Sequence, residues 1–173
     1  MPGSGVMRIL DWRRAALAGE KTVGTTPLKI AAQLEERGGR ALKALPSLRA
    51  STPDKELRLT LGDIEAMSEL ARYYAAKIRG AAALALYDRS SDDARKQEAL
   101  GCLQAAVEHW RSYSRAYTAQ YTQPRLYNRV GFVDIPALTA KALQDVEIAR
   151  RWKPGTIVDD KAKRRSADQP FHK

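Results

Sequence analysis

The stretch TPDKELRLTLGDIEAMSELARYYAAKIRGAAALALY, Thr52 to Tyr87, decides the fold. Leu57, Leu61, Ile64, Ala71, Ala75, Ile78, Ala82 and Ala85 recur at steps of three and four, the period of one helix face. Met67, Leu70, Tyr74, Ala81 and Leu84 form a second stripe that widens the apolar arc. Thr52-Pro53 supplies a start signal, a capping hydroxyl with proline in the first turn, and Asp54 and Glu56 face the positive end of the helix dipole. At ~1.5 Å per residue the rod spans roughly 50 Å. A rod of that length with two apolar sides predicts a central helix with neighbours along its whole length. Its alanine-rich face predicts a close helix-to-helix approach.

The flanking sequence supplies those neighbours. Thr26-Pro27 repeats the start signal, and Leu28, Ala31, Leu34, Ala41, Leu42 and Leu45 carry a helix over 26–49, with a kink expected at Gly38-Gly39 and a bend or stop at Pro46. Asp88-Arg89-Ser90-Ser91 is a short turn, so the helix after it runs antiparallel to the long one. Ser91 is its expected cap, Asp92 and Asp93 fill its first turn, and Leu100, Leu103, Val107, Trp110, Tyr117 and Tyr121 mark its face over 91–121. Residues 122–133, TQPRLYNRVGFV, read as a loop. Asp134 and Pro136 open a last helix over 134–152, with Leu138, Ala142, Val146 and Ala149 inward, and Lys153-Pro154-Gly155 stops it. The fold class is all-α: an antiparallel bundle of about four helices over 26–152, an irregular N-terminal segment over 1–25 and a disordered basic tail over 153–173.

A chain of 173 residues fits one domain. Its longest uncharged apolar stretch, Gly80 to Tyr87, is far short of the ~20 residues a membrane span needs, so no membrane role is expected. The opening MPGSGVMRIL shows no secretory signal, which reads as cytoplasmic. The single cysteine, Cys102, excludes an internal disulfide and a multi-cysteine zinc site. The net charge of +10 is peripheral: basic side chains outnumber acidic ones nine to four in residues 1–50, fifteen to thirteen in 51–152 and six to three in 153–173. The one basic cluster, KAKRR at Lys161 to Arg165, lies in the tail, so no nucleic-acid partner is expected.

Chemistry-bearing residues are sparse. No Glu-x-x-His pair of the kind that builds bundle metal sites occurs, and no metal site or cofactor is expected. His172 lies in the tail, and His109 follows Glu108, a spacing that puts the two on different faces. Asp63 sits on an apolar stripe and needs either a cationic partner or an acid/base role. Asp63, Glu69, His109 and Asp145 are the candidate catalytic residues, and convergence on a shared cavity would support an enzyme. Tyr113, Tyr117 and Tyr121 climb one helix beside Trp110, with Arg125 and Arg129 following. That pattern is either core packing or a sugar-binding face, so Tyr113, Tyr117, Tyr121 and Arg125 are the candidate ligand-binding residues. Phosphate loops, dinucleotide fingerprints and nucleophilic triads are absent from the sequence.

Four strings carry a family resemblance: TPLKIAAQLEE from Thr26, LGDIEAMSELARYYAAKIRGAAALALYD from Leu61, LQAAVEHWRSYSRAYTAQY from Leu103 and DVEIARRW from Asp145. Together, over roughly residues 25–151, they resemble the C-terminal helical region of large bacterial polysaccharide-degradation proteins, carbohydrate-binding or α-glucuronidase-like glycoside hydrolases. The resemblance implies a helical appendix without the catalytic portion such proteins carry upstream, and it assigns no catalytic residue here. The leading expectation is a non-catalytic helical interaction module that packs on a second copy of itself or on a larger carbohydrate-active partner. The alternative is a small hydrolase of glycosides or phosphate esters, with helix-borne carboxylates, His109 as acid/base and, in one version, a divalent metal. The third is a weak nucleic-acid binder working through the basic termini.

Overall fold

The computed structural model describes residues 5–51 and 54–158. In chain order they form α1 (Ile9–Ala18), α2 (Pro27–Ala50), α3 (Lys55–Ser90), α4 (Asp93–Thr118), β1 (Arg125–Tyr127), β2 (Gly131–Val133) and α5 (Thr139–Arg151). The fold is an all-α bundle built around α3, with α2 and α4 packed against it, α5 on α4, and α1 on α3.

Capping explains most helix ends. Thr26 caps α2 by accepting from the Lys29 amide at 3.2 Å, with Pro27 in the first turn. The Thr52-Pro53 signal lies outside the described residues; the α3 cap is Asp54, whose carboxylate accepts from the Leu57 amide at 2.8 Å. Ser91 does not cap α4. It closes α3 in the left-handed conformation (φ 57°), and Asp92 caps α4 by accepting from the Ala94 amide at 3.0 Å. That two-residue link forces α4 to run back along α3.

Four expectations are corrected. The segment 1–25 is not irregular throughout, since α1 lies within it and a parallel bridge joins Val6 to Thr25. Helix α2 runs unbroken through Gly38-Gly39 and Pro46. Gly38 is there for proximity: a Cβ at this position would sit 2.8 Å from the Ser68 carbonyl oxygen, so glycine lets α2 close on α3. Residues 122–133 are not all loop, because β1 and β2 pair antiparallel with Leu126 opposite Phe132, turning through Arg129 at φ 67°. The last helix begins at Thr139 rather than 134; Asp134 instead holds a turn, accepting from the Ala137 amide at 3.0 Å.

The core lies where α3, α4 and α5 meet. Tyr73, Ala76 and Leu84 pack against Leu103, Val107 and Trp110, closed off by Ala142 and Val146. The alanine-rich face does bring the backbones together: a Cβ on Gly80 would lie 2.8 Å from Leu103 Cγ. The second stripe widens the buried arc only in part: Leu84 joins the core and Leu70 packs against it. Met67 is 65% exposed and Tyr74 49% exposed, since α1, the helix that covers the far end of this face, is too short to reach them.

An ion pair is fully buried at the end of α3. Arg13 Nη1 lies 3.3 Å from Asp88 Oδ2, with both side chains wholly excluded from solvent. Asp88 Oδ1 also accepts from Trp152 Nε1 at 2.9 Å and from the Ile157 amide at 3.2 Å, while its carbonyl accepts from the Gly155 amide at 2.8 Å. Residues 153–158 are thereby folded onto the end of α3 rather than released as a tail; the rest of the expected tail, 159–173, lies outside the described residues.

Two substitutions test this packing by urea denaturation. Leu103→Ala removes the side chain that fills the Gly80 approach and is expected to cost about 2–5 kcal/mol. Asp88→Ala leaves a buried guanidinium without its carboxylate and is expected to cost about 3–5 kcal/mol. Glu98→Ala, which breaks a half-exposed pair with Arg95, serves as the control, expected at under about 1 kcal/mol.

Candidate functional site

The candidate acid/base residues all lie at helix contacts, and each already has partners. Asp63 on α3 accepts from Gln120 Nε2 at 3.0 Å and from the Tyr121 hydroxyl at 2.8 Å, both just beyond the end of α4. The cationic partner expected for Asp63 is therefore replaced by two neutral donors. Glu69 Oε2 lies 3.0 Å from His109 Nδ1 across the α3–α4 contact, with side chains 15% and 19% exposed. Asp145 on α5 takes Lys77 of α3 at 2.6 Å, and Lys77 also donates to the Tyr73 hydroxyl at 3.1 Å. Burial alone would lower the Lys77 pKa, but its hydrogen bonds to Asp145 and Tyr73 outweigh that and leave it raised. Glu69 and His109 thus meet each other, whereas Asp63 and Asp145 meet other groups.

Three clefts can be compared with these positions. A groove of about 340 Å³ between α2 and α3 is lined by Asp63 among apolar neighbours. A cleft of about 460 Å³ lies between α1 and the α3–α4 turn, over Trp12, Ala82 and Leu86. A third, of about 430 Å³, follows the α4–α5 contact past Val107 and Val146. None of the three is lined by two of the four candidates. Among the described residues, no three His, Cys, Asp or Glu side chains gather in a way that holds a metal ion.

The aromatic residues form a ladder of mutual contacts. From Tyr74 it runs through Tyr73, Trp110, Tyr113 and Tyr117 to Tyr121, with ring centroids 4.8–5.7 Å apart and rings tilted or edge-on. The Arg125 guanidinium stands over the Tyr121 ring at 4.5 Å. The Tyr117 and Tyr127 hydroxyls are hydrogen-bonded to each other, which pins the β1–β2 hairpin to α4. Of the expected sugar face, Tyr113 is buried, and Tyr117, Tyr121 and Arg125 meet one another. Burial raises the pKa of Tyr113. The hydrogen bond to Asp63, and after it burial, raises that of Tyr121. Tyr117 is pushed up to about 12 by burial and by the bond to Tyr127. Burial likewise raises the Cys102 thiol, which holds it protonated.

The β1–β2 hairpin carries one open apolar surface, with Leu126, Val130 and Phe132 65%, 72% and 74% exposed, and another runs along α3. Leu57, Thr60, Ile64, Met67, Ala71, Tyr74 and Ile78 alternate in steps of three and four, a heptad stripe of the kind that seats a second helix. Leu57 is 47% exposed and Ile64 39%, beside the still more open Met67 and Tyr74. Further along the same stripe, Ala82 and Ala85 are covered by α1. On the α2 side the stripe is rimmed by Arg37, which continues into an open depression with Arg40, Ala41, Lys43 and Ala44. The sequence shows this stripe but gives no sign that it stays open, because the signal for that is the length of α1, which only the fold reveals.

No family model, curated protein or solved structure matches this chain. Among the described residues, no helix is long and apolar enough to cross a membrane.

The hydroxyl pair gives a measurable titration. A neutral Tyr117 is favoured in the folded chain, so its contribution to stability is complete below the unfolded tyrosine pKa of ~10 and declines as pH rises from there towards 12. Phenolate absorbance should show a step at about 12 from Tyr117, and Tyr127→Phe should bring that step down. An unchanged step in the variant would remove the hydroxyl pair as a cause.

Proposed function

We propose that this chain is a non-catalytic helical interaction module that works through the uncovered face of α3. The observation that carries the reading is one stripe of large apolar side chains, Leu57, Ile64, Met67 and Tyr74, left open along a helix whose other sides pack on α2 and α4. Contiguous exposed apolar surface of this kind marks a place where another molecule sits. The candidate acid/base groups add to the reading, since Asp63, Glu69, His109 and Asp145 all have hydrogen-bond partners inside the bundle. The kinship with carbohydrate-active proteins rests on the sequence resemblance, and it names a second occupant for the face, a larger carbohydrate-active protein.

One observation favours a small hydrolase as the second reading. Glu69 orients His109 through Nδ1, which leaves the other ring nitrogen for proton transfer, as in dyads where a carboxylate fixes a histidine base. Nucleic-acid binding through the basic termini gains no such support, because the 161–165 cluster lies outside the described residues.

Two measurements separate the readings. The purified chain should bind an environment-sensitive apolar dye, and Met67→Glu with Tyr74→Glu should abolish that binding while leaving the helical circular dichroism unchanged, because both side chains are already exposed. The same chain should turn over neither aryl glycosides nor phosphate esters, with or without added divalent ions. Turnover that falls by ~100-fold or more in His109→Ala, with the fold intact, would replace the module by the hydrolase.

A further inference from the structure

Resting on the interaction-module reading, we infer that the open face of α3 is occupied by the same face of a second copy of this chain, the two α3 helices running antiparallel across a twofold axis between residues 65 and 66. The stripe is self-complementary in that register. Ile64 falls opposite Met67 of the second copy at the centre, Thr60 opposite Ala71, and Leu57 opposite Tyr74. Each layer then pairs like sizes, small with small between large with large, the arrangement in which knobs find holes without voids or clashes. A shift of one turn would set Thr60 and Ala71 against large side chains and lose this match.

Two further observations favour a second copy over an unrelated helix. Glu56 flanks the stripe at one end, exposed and without an ion-pair partner among the described residues, and in this register it reaches Lys77 of the second copy. The Lys77 side chain is 40% exposed beside Asp145 and has donors to spare. On the α2 side, Ala41 and Ala44 line the open depression beside the stripe, and small residues there would let the two α2 helices approach in the dimer. The seam from Leu57 to Tyr74 is about 26 Å long, and two helices make it about 20 Å wide, so roughly 500 Å² per copy would be covered, on the order of 1,000 Å² in total, the size at which specific interfaces begin.

The same continuation of the stripe shows what it accepts. Where α1 reaches it, at Ala82 and Ala85, the cover is a helix of this chain. The opposing force is also visible: Arg37, Arg40 and Lys43 line the α2 rim of both copies and repel. Salt should therefore strengthen the dimer by screening that repulsion, whereas an acidic foreign helix would bind less tightly as salt rises.

Sedimentation velocity on the full chain tests the inference. The expected result is a species of twice 19.2 kDa at about 100 µM, tightening between about 0.02 and 0.3 M salt. Met67→Glu should give the monomer with unchanged circular dichroism. The register is read by cross-linking in a Cys102→Ser background: Ile64→Cys mixed with Met67→Cys should form the mixed disulfide in preference to either homodisulfide. A monomer at every concentration, or a dimer that survives Met67→Glu, overturns the inference. Dye binding that persists on such a monomer leaves the module reading standing with a foreign partner. Loss of both, or turnover dependent on His109, removes the module reading as well.

Discussion

The length of α3 governs the rest of this structure. It has 36 residues, against 26 in α4, 24 in α2, 13 in α5 and 10 in α1. A helix gains most of its stability from the face it buries, so a long one in a small protein must share several short partners along its length. Helix α4 covers one side from the turn back to about Gly62, which meets Gln120 just beyond the α4 end, and α2 covers another. The remaining side is claimed by α1 only near Ala82 and Ala85. The core and the open face are two outcomes of the same mismatch.

The buried Arg13–Asp88 pair decides where the short elements attach. Burying two charges costs more than their attraction returns unless further hydrogen bonds complete the set. Asp88 completes its own with Trp152 and Ile157, so one carboxylate ties α1, α3 and the segment after α5 together. Hydrophobic contact would allow α1 to slide along the stripe, since alanines offer little register. The ion pair fixes α1 at one end of α3 and thereby leaves the other end uncovered.

Along the rest of α3, polar groups serve the bundle. Asp63, Glu69 and Lys77 lie at successive levels and reach Gln120 and Tyr121, then His109, then Asp145. Between those levels the ring ladder from Tyr74 to Tyr121 fills the α3–α4 contact and runs out to the hairpin through Tyr127. Directional contacts of this kind set the rotation of each helix about its axis, which apolar packing alone leaves loose. They also place the acid/base candidates at structural contacts rather than around one cavity.

What the sequence by itself determined is local. Period, capping residues and turn length specify the helices of the bundle and the antiparallel return of α4, because each depends on neighbours within a few residues. Leu103 and Val107 were legible as core for the same reason, their stripe having no competing face. Met67 and Tyr74 were not legible as surface: a stripe announces that it is apolar, not whether anything reaches it. Gly38 reads as a weakness in an isolated helix and becomes a contact point only when α3 lies alongside. The partners of Asp63 and His109 and the pairing of Arg13 with Asp88 join residues 40 to 75 positions apart, and no local rule connects them. Tertiary structure alone decided these, because burial and pairing depend on which elements the finite chain can bring to each place.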